Sequence, residues 1–152
     1  MHYHLCDLTN AKQIKQLVET TTDLFGGVDG LVNNAGGPPA GKFESLDDRD
    51  WEQAFNLNLL SYVRAIREVL PHMRRQGGGR IVNIASSAVK EPIDGLILSN
   101  TIRNGLVGMA KTLSRELAPD NILIKTVAPG RIATDRLLEL ERQRAKEKGV
   151  SY

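Results

Sequence analysis

Apolar positions along the chain follow two alternating periods. Ile81-Val82-Asn83-Ile84-Ala85 is a short apolar run that ends in Ser86 and Ser87. Such a run reads as a buried parallel strand that delivers polar groups to the end of a sheet. Further on, Leu98, Ile102, Leu106, Met109, Leu113 and Leu117 recur at three- and four-residue spacing. They form one stripe of a long helix. The same signals recur upstream. Residues 11–25 carry Ile14, Leu17, Val18, Leu24 and Phe25 on a helical stripe, closed by Gly26-Gly27. Residues 28–32 form a short strand. The Asn33-Asn34-Ala35-Gly36-Gly37 loop follows, and Pro38-Pro39 prevents a helix from starting there. Residues 46–75 read as a helix capped by Ser45 or Asp47, with Trp51, Phe55, Leu59, Tyr62, Val63, Ile66 and Leu70 on its packed faces. Residues 121–128 are another buried strand, broken by Pro129-Gly130. At the start, residues 2–6 have a strand-like pattern, and Asp7 and Thr9 offer a turn and an N-cap. From Thr134 onward the chain is charged, with a helical pattern.

Strand and helix therefore alternate four times. That order predicts an α/β domain with a parallel sheet and helices on both faces. Ligands in such folds bind beyond the carboxyl ends of the strands, where Ser86 and Ser87 sit. A dinucleotide-binding fold of the doubly wound, Rossmann-like kind opens with a glycine-rich turn that holds a pyrophosphate. No such turn follows residues 2–6. The expectation is one partial three-layer α/β/α domain over residues 1–152, lacking its first two strands and its last.

Composition narrows the function. A length of 152 residues supports one domain with a real core. The net charge of +2, with no basic run interleaved with aromatics, argues against nucleic acid as a partner. The lone cysteine, Cys6, cannot form an internal disulfide and suits a reducing cytoplasm. No apolar run approaches the roughly 20 residues of a membrane span, so no membrane partner is expected. His2, His4 and His72 are not at metal-ligand spacing, so no metal site is expected. The absence of a G-x-S-x-G elbow counts against an α/β hydrolase.

GRIVNIASS, the helix ending GLVGMAKTLSREL, and APGRIAT together resemble the short-chain dehydrogenase/reductase family. The likeness runs over almost the whole chain. It implies an NAD- or NADP-dependent oxidoreductase moving a hydride between nicotinamide and a carbonyl or secondary alcohol. On that resemblance, Asp7-Leu8 corresponds to the position contacting adenine. Asn33-Asn34-Ala35-Gly36 matches the NNAG motif, so Asn34, Ala35 and Gly36 line the cofactor. Trp51, followed by Asn58, matches the helix whose asparagine supports a proton-relay water. Ser86 takes the catalytic serine position. Pro129, Gly130, Ile132 and Thr134 fit the segment around the nicotinamide. The family pairs the helices here numbered 46–75 and 97–118 between subunits, which implies a homodimer or homotetramer. Leu57, Leu60, Val107 and Ala110 would lie off the sheet-facing stripe.

One departure stands out. The family's Tyr-x-x-x-Lys pair starts 13 residues after the serine, and the chain places Ser99 and Arg103 there. Tyr3, Tyr62 and Tyr152 are elsewhere. A phenol starts near a pKa of about 10 and a nearby cation lowers it. A serine hydroxyl is a far poorer proton donor, and arginine keeps its charge. The expectation is that Arg103 replaces lysine at the ribose and that Ser99 or a water delivers the proton. Two alternatives stay open: a catalytically silent nucleotide-binding or scaffold protein, and dehydration or isomerisation on the same frame. Each residue also has a plain structural role to weigh: Ser86 as a strand-end cap, Asn58 as a backbone partner, Asn34 and Gly36 as turn formers, Ser99 as a helix cap and Arg103 as a surface cation.

Overall fold

The computed structural model describes residues 1–130 and positions 132, 133, 138, 141, 142, 145, 146 and 149. Helix α1 (Ala11–Phe25) begins where the Asn10 side chain accepts from the Lys12 and Gln13 amides. Asn10 is thus the N-cap expected at Asp7 or Thr9. Capping reaches only two or three residues ahead, so those two lie too early. Asp7 closes the preceding turn instead, accepting from the Thr9 amide and hydroxyl at 2.8 and 2.7 Å. Gly26, with φ of +80°, ends α1 in the left-handed conformation. Ile14 and Val18 are buried, but Leu24 and Phe25 are exposed, contrary to the stripe expected. They sit in the final turn, where the Phe25 ring meets that of His2 edge-on.

The helix expected over 46–75 is interrupted. Asp47 caps α2 (Asp48–Phe55) in a reciprocal box with Asp50, while Ser45 ends a 3-10 turn at Phe43–Ser45. A π-helical turn, Asn56–Leu60, separates α2 from α3 (Ser61–Arg75). Strands β1 (Gly30–Asn33), β2 (Gly79–Ile84) and β3 (Ile122–Val127) form a parallel sheet in that order, and α4 (Ile97–Glu116) connects the last two. Residues 2–6, expected as a strand, carry no ladder, and all but Cys6 are exposed. A strand needs a hydrogen-bonding neighbour, and among the described residues these have none.

The register places Leu31, Ile81 and Ile124 in one row and Asn33, Asn83 and Thr126 in the next row on the same face. Val18 of α1, Ile66, Val69 and Met73 of α3, and Ala110 and Leu117 at α4 join Ile81, Ile122 and Ile124 in one core. All three helices therefore cover one face. Helices on both faces were expected, but among the described residues there are two layers. The cause is topological: strands laid down in sequence order through right-handed crossovers place every connecting helix on the same side. The other face shows Val32, Leu123 and Val127 at 65%, 45% and 45% exposure, beside Arg80 and Lys125. The helical pattern from Thr134 onward falls largely outside the described residues.

Neighbouring β3 residues should differ sharply in stability effect. Ile124→Ala removes a buried side chain and should cost about 2–4 kcal/mol. Leu123→Ala, on the bare face, should stay within about 0.5 kcal/mol. Urea unfolding of both variants measures this. Equal losses would mean that the second face is covered.

Candidate active site

The carboxyl ends of β1 and β2 gather polar groups from four segments. Asn33 and Asn83 are register partners, and the Asn33 Nδ2 donates to the Asn83 Oδ1 at 2.9 Å in a buried contact. The Asn83 Nδ2 and the Thr126 Oγ1 in the same row are buried without a partner.

Beyond Asn33 the chain turns through Asn34-Ala35-Gly36, held at two points. The Tyr62 hydroxyl accepts from the Ala35 amide at 2.9 Å and donates to the Ile84 carbonyl at 3.3 Å. Tyr62 reads from the sequence only as a packed aromatic. The available signal is that a buried tyrosine needs a hydroxyl partner. Asn58, 0% exposed in the π turn, donates from Nδ2 to the Gly36 carbonyl. A carbonyl only accepts, so this fixes the amide orientation. It leaves the Asn58 Oδ1 as a buried acceptor with no partner. The wider π turn is a common way to aim a side chain at a functional site.

Ser86 continues β2 in extended backbone, and its Oγ accepts from the Ala88 amide at 3.2 Å. That bond makes it a cap for the 3-10 turn Ser87–Val89, and it leaves the hydroxyl hydrogen available. Ser99 and Arg103 lie one turn apart on α4, 8% and 6% exposed. Arg103 is therefore not a solvated surface cation. Its Nη1 donates to the Ile84 and Ala85 carbonyls at 2.9 and 3.1 Å. Among the described residues no carboxylate pairs with it, and the ion pairs there join Lys15 to Glu19 and Arg74 to Asp120. Ser99 is not the cap of α4, whose N-cap is Leu96.

The outer residues are held less directly. Leu8 packs against the cluster of Ala35, Tyr62, Ala85 and Leu106. Asp7 is exposed, and the Thr9 hydroxyl and amide hold its carboxyl below the ordinary aspartate range. The Pro129 carbonyl accepts from the Ser87 amide at 3.0 Å, which sets the 129–130 turn beside Ser86. Asn34, Gly36, Gly130 and Ile132 are exposed, and Thr134 lies outside the described residues. At Gly36 an added Cβ meets nothing within 4 Å and the backbone is not left-handed, so the chain itself gives no reason for glycine. An open cleft lined by Asp29, Gln76, Gly77, Arg80 and Asn121 lies at the opposite, amino end of the strands and shares none of these residues.

Comparison with known proteins bears on the same frame. The short chain dehydrogenase profile matches residues 1–145. Dehydrogenase/reductase SDR family member 4 of Oryctolagus cuniculus is 34% identical, over 96% of the chain and 56% of the rabbit protein. D-xylose 1-dehydrogenase of Caulobacter vibrioides is 35% identical, over 88% of the chain and 52% of its own length. Among solved structures, L-sorbose reductase from Gluconobacter frateurii, complexed with NADPH and L-sorbose, superimposes with a TM-score of 0.86 at 30% identity. That match covers 95% of the chain and 55% of the reductase. The chain spans about half the length of the curated relatives it matches. By profile, identity and shape, it belongs to the short-chain dehydrogenase family.

Proposed function

We propose that the chain forms the catalytic half of an NAD(P)-dependent oxidoreductase that interconverts a carbonyl compound and a secondary alcohol. The observation that carries this reading is the set of unused hydrogen-bonding groups at the carboxyl ends of β1 and β2. These are the Ser86 hydrogen, the orphan Asn58 Oδ1 and the remaining donors of Arg103. Relatives named for D-xylose and L-sorbose point to a small hydroxylated or carbonyl substrate.

A bound nicotinamide would supply or accept the hydride. Gly36 would let the dinucleotide approach the backbone, with Asn34, Ala35, Pro129, Gly130 and Ile132 beside it and Asp7-Leu8 toward the adenine. Ser86 would donate its free hydrogen to the substrate oxygen, its orientation fixed by the Ala88 amide. The Asn58 Oδ1 would accept from a water and hold it in the site. An alcohol and a guanidinium are both poor general acids, so the proton would pass through water. Arg103 keeps Nη1 on the sheet and offers a ligand its Nε and Nη2. The reading includes self-association through helices 46–75 and 97–118. Leu60 and Val107 are half-buried there, whereas Leu57 and Ala110 are already packed within the chain. No helix among the described residues is long and apolar enough to cross a membrane. A second reading, a silent nucleotide-binding protein, is favoured by Ser99 and Arg103 alone.

Gly36→Val tests the cofactor assignment. A Cβ added there meets nothing within 4 Å, so the unfolding midpoint should move little. NADH or NADPH should bind the wild type at micromolar level and the variant at least about tenfold more weakly, a loss of about 1.4 kcal/mol. Gly108→Val, equally open on α4, is the control and should leave binding unchanged. If neither dinucleotide binds the wild type, the oxidoreductase reading is lost.

Ser86→Ala tests the chemistry. Binding of dinucleotide should persist, and turnover with carbonyl compounds should fall about a hundredfold or more. Equal turnover in wild type and variant would remove Ser86 from the reaction. Dinucleotide binding without turnover in the wild type would favour the silent protein.

A further inference from the structure

Tyr62 puts a hydroxyl where a phenyl ring alone would fill the space. The residue is 1% exposed and packs with Ala35, Ala85 and Leu106. A buried hydroxyl costs stability unless it is hydrogen-bonded. This one is bonded twice, accepting from the Ala35 amide at 2.9 Å and donating to the Ile84 carbonyl at 3.3 Å. Strand β1 ends at Asn33, so the Ala35 amide lies beyond the β1–β2 ladder. The Ile84 carbonyl closes β2 and is held a second time by the Arg103 guanidinium at 2.9 Å. The phenol thus ties a loop to a point of the sheet that is itself anchored. One turn earlier on the same helical run, Asn58 donates to the Gly36 carbonyl. The loop is therefore gripped at two successive residues. Ala35 is turned in at 8% exposure, while Asn34 and Gly36 on either side are exposed.

We propose that Tyr62 is a positioning residue, whose hydroxyl sets the pose of the Asn34–Gly36 loop and, through it, the affinity for a dinucleotide. Holding a loop in its bound pose removes an ordering cost that the ligand must otherwise meet. The ring supplies the packing and the hydroxyl supplies the hold, so the two are separable: phenylalanine keeps the first and loses the second. Without the phenol oxygen, the Ala35 amide becomes a buried donor in need of an acceptor. The loop relieves that by turning Ala35 toward water, which carries Asn34 and Gly36 with it. At Gly36 an added Cβ meets nothing within 4 Å, so the placement of the loop, not its packing there, decides what lies against it. In this role Tyr62 acts through Ala35 and not on the reacting atoms. The hold on the loop stands on the geometry; the word dinucleotide rests on the oxidoreductase reading.

Amide hydrogen exchange and titration with NADH and NADPH, both on the intact protein, test this with Tyr62→Phe. Ile66→Val is the control, since it trims a buried side chain of the same helix in the core away from the loop. The Ala35 amide should exchange slowly in the wild type and in Ile66→Val, and about tenfold faster in Tyr62→Phe. Dinucleotide should bind Tyr62→Phe about 3- to 10-fold more weakly, the range for one neutral hydrogen bond. Ile66→Val should lower the unfolding midpoint and leave the affinity unchanged, which is how a merely structural Tyr62 would behave. Equal Ala35 exchange in wild type and Tyr62→Phe overturns the hold. Faster exchange with unchanged affinity overturns the positioning role. If Tyr62→Phe fails to fold, the wild type decides. A fast Ala35 amide, or one indifferent to bound dinucleotide, overturns the proposal, and a slow one that slows further on binding supports it. If Ala35 exchange depends on Tyr62 but neither dinucleotide binds the wild type, the oxidoreductase reading is lost and the hold on the loop is kept.

Discussion

Much of the structure turns on one carbonyl oxygen, that of Ile84. Strand β1 ends at Asn33, so beyond Asn83 the β2 backbone has no ladder partner on that side. A buried backbone acceptor must find a donor elsewhere. Ile84 finds two, the Tyr62 hydroxyl from α3 and the Arg103 guanidinium from α4. Through Tyr62 the same point holds the Ala35 amide, and with it the loop after β1. Two helices, one strand end and one loop thus meet at a single polar junction. Their relative positions, and those of Ser86, Ser99 and Asn58, depend on it.

The row beneath that junction carries a polar load of its own. Asn33, Asn83 and Thr126 stand where Leu31, Ile81 and Ile124 stand two residues earlier, on the face covered by helices. One amide pair is satisfied; the Asn83 Nδ2 and Thr126 Oγ1 are not. Apolar side chains would pack there with less penalty, since each unsatisfied buried group costs on the order of 1–3 kcal/mol. The polar row instead marks the transition from core to site. The sheet stops being a hydrophobic support there and starts placing hydrogen-bonding groups, and helix packing continues over it.

Strand and helix alternation was legible because burial imposes distinct periods on the two elements, and runs such as Ile81 to Ala85 show those periods without help. Contacts that skip along the chain were not legible. Leu24 and Phe25 fit a stripe by spacing, yet the stripe outruns the core. Helices on both faces followed from alternation alone, whereas the face is decided by strand order and crossover handedness. Residues 2–6 have a strand-like composition but no neighbour. At the candidate site, motif spacing singles out Ser86, Asn58 and the loop at Asn34–Gly36. Tyr62 reads only as packing because its hydroxyl partners lie 27 and 22 residues away. Arg103 reads as a surface residue in any hydropathy pattern. Only the two carbonyls of β2 make its burial possible.

The same arrangement separates positioning from chemistry. Every group at the junction either donates or accepts at a fixed place: Tyr62 on two backbone groups, Asn58 on the Gly36 carbonyl, Ser86 on the Ala88 amide, Arg103 on β2. These hydroxyls, amides and the guanidinium serve here as hydrogen-bond donors and acceptors. General acid–base catalysis needs a group whose pKa lies close to the working pH, and the two positions on α4 best placed to carry one hold an alcohol and a permanent cation. A site built this way can recognise, orient and exclude. On the proposed oxidoreductase reading, the proton that accompanies hydride movement would come from a water at the Asn58 Oδ1 or from an ionisable group of the ligand.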